Sequence, residues 1–344
     1  MTISVKISAA ALLLGSSLFV SVSAQAAGAL TVYCGVQEEW CQAMAVSFQR
    51  TTGIQVALTR KSAGETLAQV RAESNNPKAD IWWGGPGDPQ LQASEEGLLQ
   101  AYESPMLKEL HPWAVSQFKQ SKGKSVGIYA GALGFIYNVD ELKKRNIAAP
   151  KCWSDLLRPE FKAEVQAANP NSSGTAYTTL ATLVQLFGED DGFSYMKKLH
   201  PQMNQYTKSG IAPANAAARG ETLVGIIFIH DGVTQKINGF PVDVATPCEG
   251  TGYEIGSMSI INGAKNLDSA KKWYDWALTP AAQEIAGQNK SYQVPSNKKS
   301  PIPPEAPRLS DIRLIDYNFQ KYGTADERKR LLTRWDNEIR AASN

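Results

Sequence analysis

The chain has 344 residues, with 35 lysines and arginines against 33 aspartates and glutamates. A balance this even leaves no electrostatic footprint for nucleic acid or for an anionic membrane surface. The length exceeds what one hydrophobic core usually organises, so two lobes are expected.

Residues 1–26 read as a secretory signal peptide. Lys6 is the only charged side chain before an apolar run from Ala9 to Val22, and Ala24-Gln25-Ala26 closes it with small residues. That pattern predicts cleavage after Ala26. A membrane anchor is the competing reading, but the run is short, holds Gly15 and several serines, and lacks a basic stop-transfer flank. The remainder is expected to be a soluble exported protein, most simply periplasmic. Export into an oxidising compartment turns an even set of cysteines into bridges. Cys34 ends a predicted strand and Cys41 lies in the next helix, which allows a local loop and leaves Cys152 for Cys248. Zinc is disfavoured, because no C-x-x-C pair exists and the three histidines are scattered.

Leu30–Tyr33 reads as a strand, and Glu38–Arg50 as a helix with Trp40, Met44, Ala45 and Phe48 at helical spacing. Ile54–Leu58 alternates as a strand. Ser62 opens a helix with Glu65 three residues on, the spacing of a capping box. Ala79–Trp83 is a buried-looking strand, and Gly84–Pro89 a tight loop at its end. This β-α-β-α-β rhythm predicts a largely parallel sheet with helices on both faces. Val126–Tyr137 is a second apolar run, followed by a short helix at Asp140–Arg145. Leu223–Ile229 is a continuous apolar strand ending in His230-Asp231. Strands follow at Val242–Thr246 and Ser257–Ile261, then helices at Asp268–Leu278 and Ala325–Ala341.

Near the middle, Asn171-Ser172-Ser173-Gly174-Thr175 runs into the apolar helix beginning about Thr178. Such a junction leaves backbone N–H groups unpaired at the positive end of the helix dipole, which favours an anion. The hydroxyls of Ser172, Ser173 and Thr175 add donors. An ordinary helix cap uses the same residue types. Ser62, Gly85, the Asn171–Thr175 loop and His230-Asp231 all fall at predicted strand ends, where ligands of open α/β sheets lie.

Four stretches, in this order, resemble type II solute-binding proteins of ABC importers: Ala79–Gly85, Asn138-Val139-Asp140, Trp153–Leu156 and Ala270–Gln283. The resemblance covers nearly all of the chain after residue 26. It implies two α/β lobes, each a mostly parallel sheet flanked by helices, joined by strands near Ala130–Tyr137 and Glu254–Ile261. Lobe 1 is expected to hold 27–129 plus 259–344, and lobe 2 to hold 130–258. It also implies an inner-membrane ABC permease as partner, no cofactor, and a monomer.

The branch concerned is the one labelled ferric-iron-binding, whose iron-binding members use adjacent tyrosines. This chain has no Tyr-Tyr pair, and Tyr206 stands alone. His230-Asp231 followed by Glu254 instead resembles the branch's hexose-phosphate-binding members. On that reading His230, Asp231 and Glu254 hold sugar hydroxyls, while Ser62, Gly85, Asn171, Ser172, Ser173 and Thr175 hold the phosphate, and no metal is bound. A satisfied strand-end pair and a metal site are the other readings of His230-Asp231. Ferric iron, a phosphonate or a phosphoglycerate are the alternative ligands. An exported hydrolase using Asp231 and Glu254 as paired carboxylates is the reading from another class.

Overall fold

A computed structural model describes residues 28–341, together with Met1 and Thr2. The segment read as a signal peptide therefore lies almost wholly outside the described residues. The fold is mixed α/β, a central sheet flanked by helices. The strands are β1 (Ala29–Cys34), β2 (Gln55–Arg60), β3 (Ile81–Pro86), β4 (Leu99–Gln100), β5 (Val126–Asn138) and β6 (Val165–Ala168). They continue with β7 (Met203–Thr207), β8 (Val224–Phe228), β9 (Val242–Ala245), β10 (Tyr253–Ile261) and β11 (Val294–Pro295).

Their order is β2-β1-β3-β10-β5-β8-β6-β7, with β4 on β10 and with β9 and β11 on β5. The β1–β2 and β1–β3 pairs are parallel, as are β6–β7 and β6–β8. Strand β5 joins the two parts. Its first half pairs antiparallel with β10, from Val126↔Met258 to Ala132↔Tyr253. Its second half pairs with β8, from Leu133↔Phe228 to Tyr137↔Val224. The chain returns to the first sheet where Leu133 N–H donates to Gly252 C=O, just before β10.

Each part has its own core. One gathers Trp40, Phe48, Trp83 and Trp273, whose rings meet edge-on at 4.9–6.2 Å. The other gathers Phe135, Trp153, Phe161 and Phe193. The closing segment packs on this second core. Trp335 meets the Tyr206 ring, and Arg328 lies 4.0 Å over Tyr177. No helix among the described residues is long and apolar enough to cross a membrane.

Two sequence expectations change. The stretch read as a Gly84–Pro89 loop is strand to Pro86, then a helix over Asp88–Glu95 with Pro89 in its first turn, where proline fits. The strand expected to reach Ile229 ends at Phe228, so His230 and Asp231 sit in the first turn of the Ile229–Ile237 helix.

Both disulfides form as expected, Cys34–Cys41 and Cys152–Cys248. The second closes a loop with a sequence separation of 96. A Cys152→Ser/Cys248→Ser double variant is expected to lose about 2–5 kcal/mol, the usual cost of removing a native bridge. Denaturant unfolding of the two proteins under non-reducing conditions measures it. Coincident midpoints would mean that the bridge constrains nothing in the unfolded chain.

Candidate functional site

The cleft lies between the two parts, at the carboxyl ends of their strands. Its lining includes Gln37, Arg60, Ser62, Gly85, Tyr129, Ser173, Thr175, Gly210, His230, Asp231 and Glu254. It encloses about 430 Å³, counted with the portion open to solvent. Hydrogen bonds cross it from both sides. Gln37 Nε2 donates to Asp231 Oδ1 at 2.6 Å, Arg60 Nη2 to Ser209 Oγ at 3.1 Å, and Gly64 N–H to Ser172 C=O at 3.1 Å. A Cβ on Gly64 would lie 2.5 Å from Asn171 O, so only glycine permits this approach.

Several helices start on the cleft. Ser62 is the N-cap of the Ala63–Ala72 helix and closes the expected capping box, its N–H donating to Glu65 Oε2 at 3.3 Å. Ser173 caps the Gly174–Phe187 helix by accepting from Ala176 N–H at 3.4 Å, and Thr175 lies in the first turn. Gln37 occupies the N-cap position of Glu38–Thr52, its side chain turned to Asp231 instead of to the helix. Each start directs unpaired N–H groups and positive dipole potential inward. Arg60, the last residue of β2, adds a full positive charge. Gly85 lines the cleft, but its N–H is taken by the Tyr129 hydroxyl at 2.9 Å.

The opposite wall is a buried titratable cluster. His230 Nε2 stands 3.7 Å from both Asp231 Oδ1 and Glu254 Oε1. The imidazole stacks on Phe228 and meets Tyr129 edge-on. It fits because Gly131 carries no side chain; a Cβ there would be 2.5 Å from Nδ1. Burial pushes His230 down to about 3, so the ring is neutral at pH 7, able to donate from one nitrogen and accept at the other. Burial pushes Asp231 up to about 7, opposed by the Gln37 hydrogen bond and by the Arg60 charge. Glu254 is raised well above its ordinary range, first by burial and then by Asp231 and Asp88. His230 Nδ1 and Glu254 Oε2 are buried and have no protein partner, leaving polar capacity for a ligand.

Of the residues singled out in the sequence, Ser62, Gly85, Ser173, Thr175, His230, Asp231 and Glu254 come together in this cleft. Asn171 and Ser172 do not line it. Asn171 is exposed and donates to Asn169 Oδ1 and Asp336 Oδ1, while the Ser172 hydroxyl donates to Lys208 C=O at 3.0 Å. They precede the N-cap and turn toward the surface. Sequence reasoning missed Arg60, Gln37 and Tyr129. Tyr206 lies elsewhere, stacked on His200 and bonded to its Nδ1 at 3.0 Å.

Residues 76–321 match the family described as bacterial extracellular solute-binding protein. The chain belongs to that family. The structure is similar to that of the periplasmic binding protein AfuA from Actinobacillus pleuropneumoniae, solved with exogenous fructose-6-phosphate bound. Identity is 46%, the TM-score is 0.87, and the match covers 91% of this chain and 99% of that one. A protein of Haemophilus influenzae whose own role is uncharacterised is 44% identical over 98% of both chains. The Fe(3+)-binding periplasmic protein of Serratia marcescens is 23% identical over 87% of this chain and 89% of its own. The solute-binding protein described here thus lies in the ferric-binding branch, and the Actinobacillus and Serratia relatives are periplasmic binding proteins.

The buried Asp231 carboxyl makes a pH prediction. Its folded value is raised above the ordinary 3.8, so between about 4 and about 7 the folded chain holds a proton that the unfolded chain has released. Stability through this group therefore falls as pH rises across that window. An Asp231→Asn variant keeps the Gln37 acceptor and removes the loss. Its melting temperature relative to the parent is expected to climb as pH goes from about 4.5 to about 7.5. A difference that does not change with pH would mean that the carboxyl titrates as in an unfolded chain.

Proposed function

We propose that this protein is the periplasmic substrate-binding component of an ABC importer. It is exported by a cleaved leader over residues 1–26, acts as a monomer, captures a phosphorylated sugar between its lobes, and delivers it to an inner-membrane permease. The lobes of this reading are 27–129 plus 259–344, and 130–258, with the closing segment from Tyr317 packed back onto the second core. The observation that carries it is the polarity of the cleft. One side gathers helix starts, hydroxyls and Arg60. The other gathers a neutral imidazole beside two carboxyl groups. A phosphate suits the first side, since helix N-termini and guanidinium favour anions. Sugar hydroxyls suit the second, where His230, Asp231 and Glu254 supply donors and acceptors. A free phosphate leaves the second side unused. The fructose-6-phosphate bound to AfuA supports the same class of ligand.

The Serratia relative keeps a ferric reading in view. The cleft lining favours it less. Tyr206 does not line the cleft, and Tyr129, which does, uses its hydroxyl on Gly85 and is pushed well above its ordinary range by burial. A phenolate ligand for iron is thus disfavoured. Ferric citrate is expected to give no visible tyrosinate charge-transfer band. A stoichiometric coloured complex would put iron first.

Calorimetry with fructose 6-phosphate and with inorganic phosphate tests the main reading. Asp231→Ala is expected to weaken fructose 6-phosphate binding by about 10- to 100-fold, the loss of one hydrogen bond to a charged or buried group. Binding of inorganic phosphate is expected to be unchanged or stronger, because Asp231 stands on the other side of the cleft and whatever charge its raised carboxyl keeps is gone. Ser173→Ala is expected to weaken both ligands together. Collapse of phosphate binding in the Asp231 variant with sugar discrimination intact would reverse the two ends.

A further inference from the structure

We propose that the protein carries a second small-molecule site, behind the wall of the cleft, which takes a neutral or cationic aromatic compound. The site is a cavity of about 360 Å³. That is near the lower end of the range for ligand pockets, about 300–1,000 Å³. Trp40, Met44, Trp83 and Tyr129 line it and are buried, and Pro301 and Ile302 line it and are exposed. The Trp40 ring lies 4.9 Å from Trp83 and 5.5 Å from Tyr129, so the buried side is an aromatic wall.

Three buried polar atoms on lining residues have no partner in the protein: Trp40 Nε1, Trp83 Nε1 and Gln293 Oε1. Buried donors and acceptors are rarely left unmade. Here these atoms are sealed from water in this conformation, so an occupant meets the ring surfaces of the aromatic wall. The charge of the lining selects against the class of ligand assigned to the cleft. Glu284 and Glu305 line the cavity, and none of its described lining residues is a lysine, arginine or histidine. An anion is repelled, whereas a cation over an indole face is attracted. Tyr129 and Gln293 line both spaces. Gln293 Nε2 donates at 3.5 Å to Gln37 Oε1, and the Gln37 amide holds Asp231. An occupant therefore presses on the back of the cleft. The proposal does not depend on which ligand the cleft takes.

The test titrates the purified protein with the neutral probe N-phenyl-1-naphthylamine and the anionic probe 1-anilinonaphthalene-8-sulfonate, with and without fructose 6-phosphate. The neutral probe is expected to bind saturably at one equivalent and to quench indole emission. The anionic probe is expected to bind at least about tenfold more weakly. Ala286→Phe, which fills the cavity, is expected to weaken the neutral probe at least about tenfold. Ile302→Asp, on the exposed side, is expected to weaken it several-fold, and it decides the matter should Ala286→Phe not fold. Non-saturable binding, equal affinity for the two probes, insensitivity to the variants, or competitive displacement by fructose 6-phosphate would each overturn the proposal.

Discussion

Strand β5 is hydrogen-bonded to both sheets at once, and the geometry of the cleft depends on that. Twelve of its thirteen residues are buried. Because its neighbours change from β10 to β8 midway, the chain cannot slip in one sheet without slipping in the other. Register then fixes chemistry. Glu254 pairs with Gly131, whose missing side chain leaves the space that the His230 ring enters from the other part. A carboxyl from the first sheet and an imidazole from a second-sheet helix are brought to 3.7 Å by one backbone position. Gly134 plays a similar part further on, where a Cβ would sit 2.4 Å from Ala245 C=O.

The electrostatics of the cleft follow from burial more than from pairing. His230, Asp231 and Glu254 are each at most 6% exposed. Water is the best solvent for their charged forms, so all three move toward neutrality. Neutral groups of this kind recognise by direction. They discriminate hydroxyl patterns without the field that repels a phosphate nearby. The charge that remains local is Arg60, held by Val36 C=O at 3.1 Å and by Ser209 Oγ. It works with helix starts whose partial charges are fixed by the backbone.

Seven of the eleven strands and most helices were legible in the sequence, because apolar runs and alternation report burial directly; the short strands β4, β6, β7 and β11 were not. The Asp88–Glu95 helix was not. Seven of its eight residues are buried although several are polar, and Gln90 explains how. Its amide donates to Ser257 C=O and accepts from Ser125 and Ser259 hydroxyls. A helix buried through hydrogen bonds carries no apolar period to read. In the cleft, the loop-to-helix junction was readable, but the helix begins at Gly174 and not at the expected Thr178, and its cap was not foreseen. The cap is Ser173, so Asn171 and Ser172 fall before the first turn and face away. Arg60 ends a strand that the sequence did place, and its charge at that position was the available signal. Gln37 gave none, since a glutamine before a helix is an unremarkable residue until its distant partner is known.

The Cys34–Cys41 bridge encloses the turn that carries Gln37, the residue reaching across to Asp231. The rim of the cleft is thus a covalent ring, closed over a sequence separation of 7. Thiols stay reduced in the cytosol and pair where the surroundings oxidise them. With the bridge formed, the loop that carries the Gln37 amide is held between two covalently joined ends. Presentation of that amide at the cleft is thereby tied to the redox state of the surroundings.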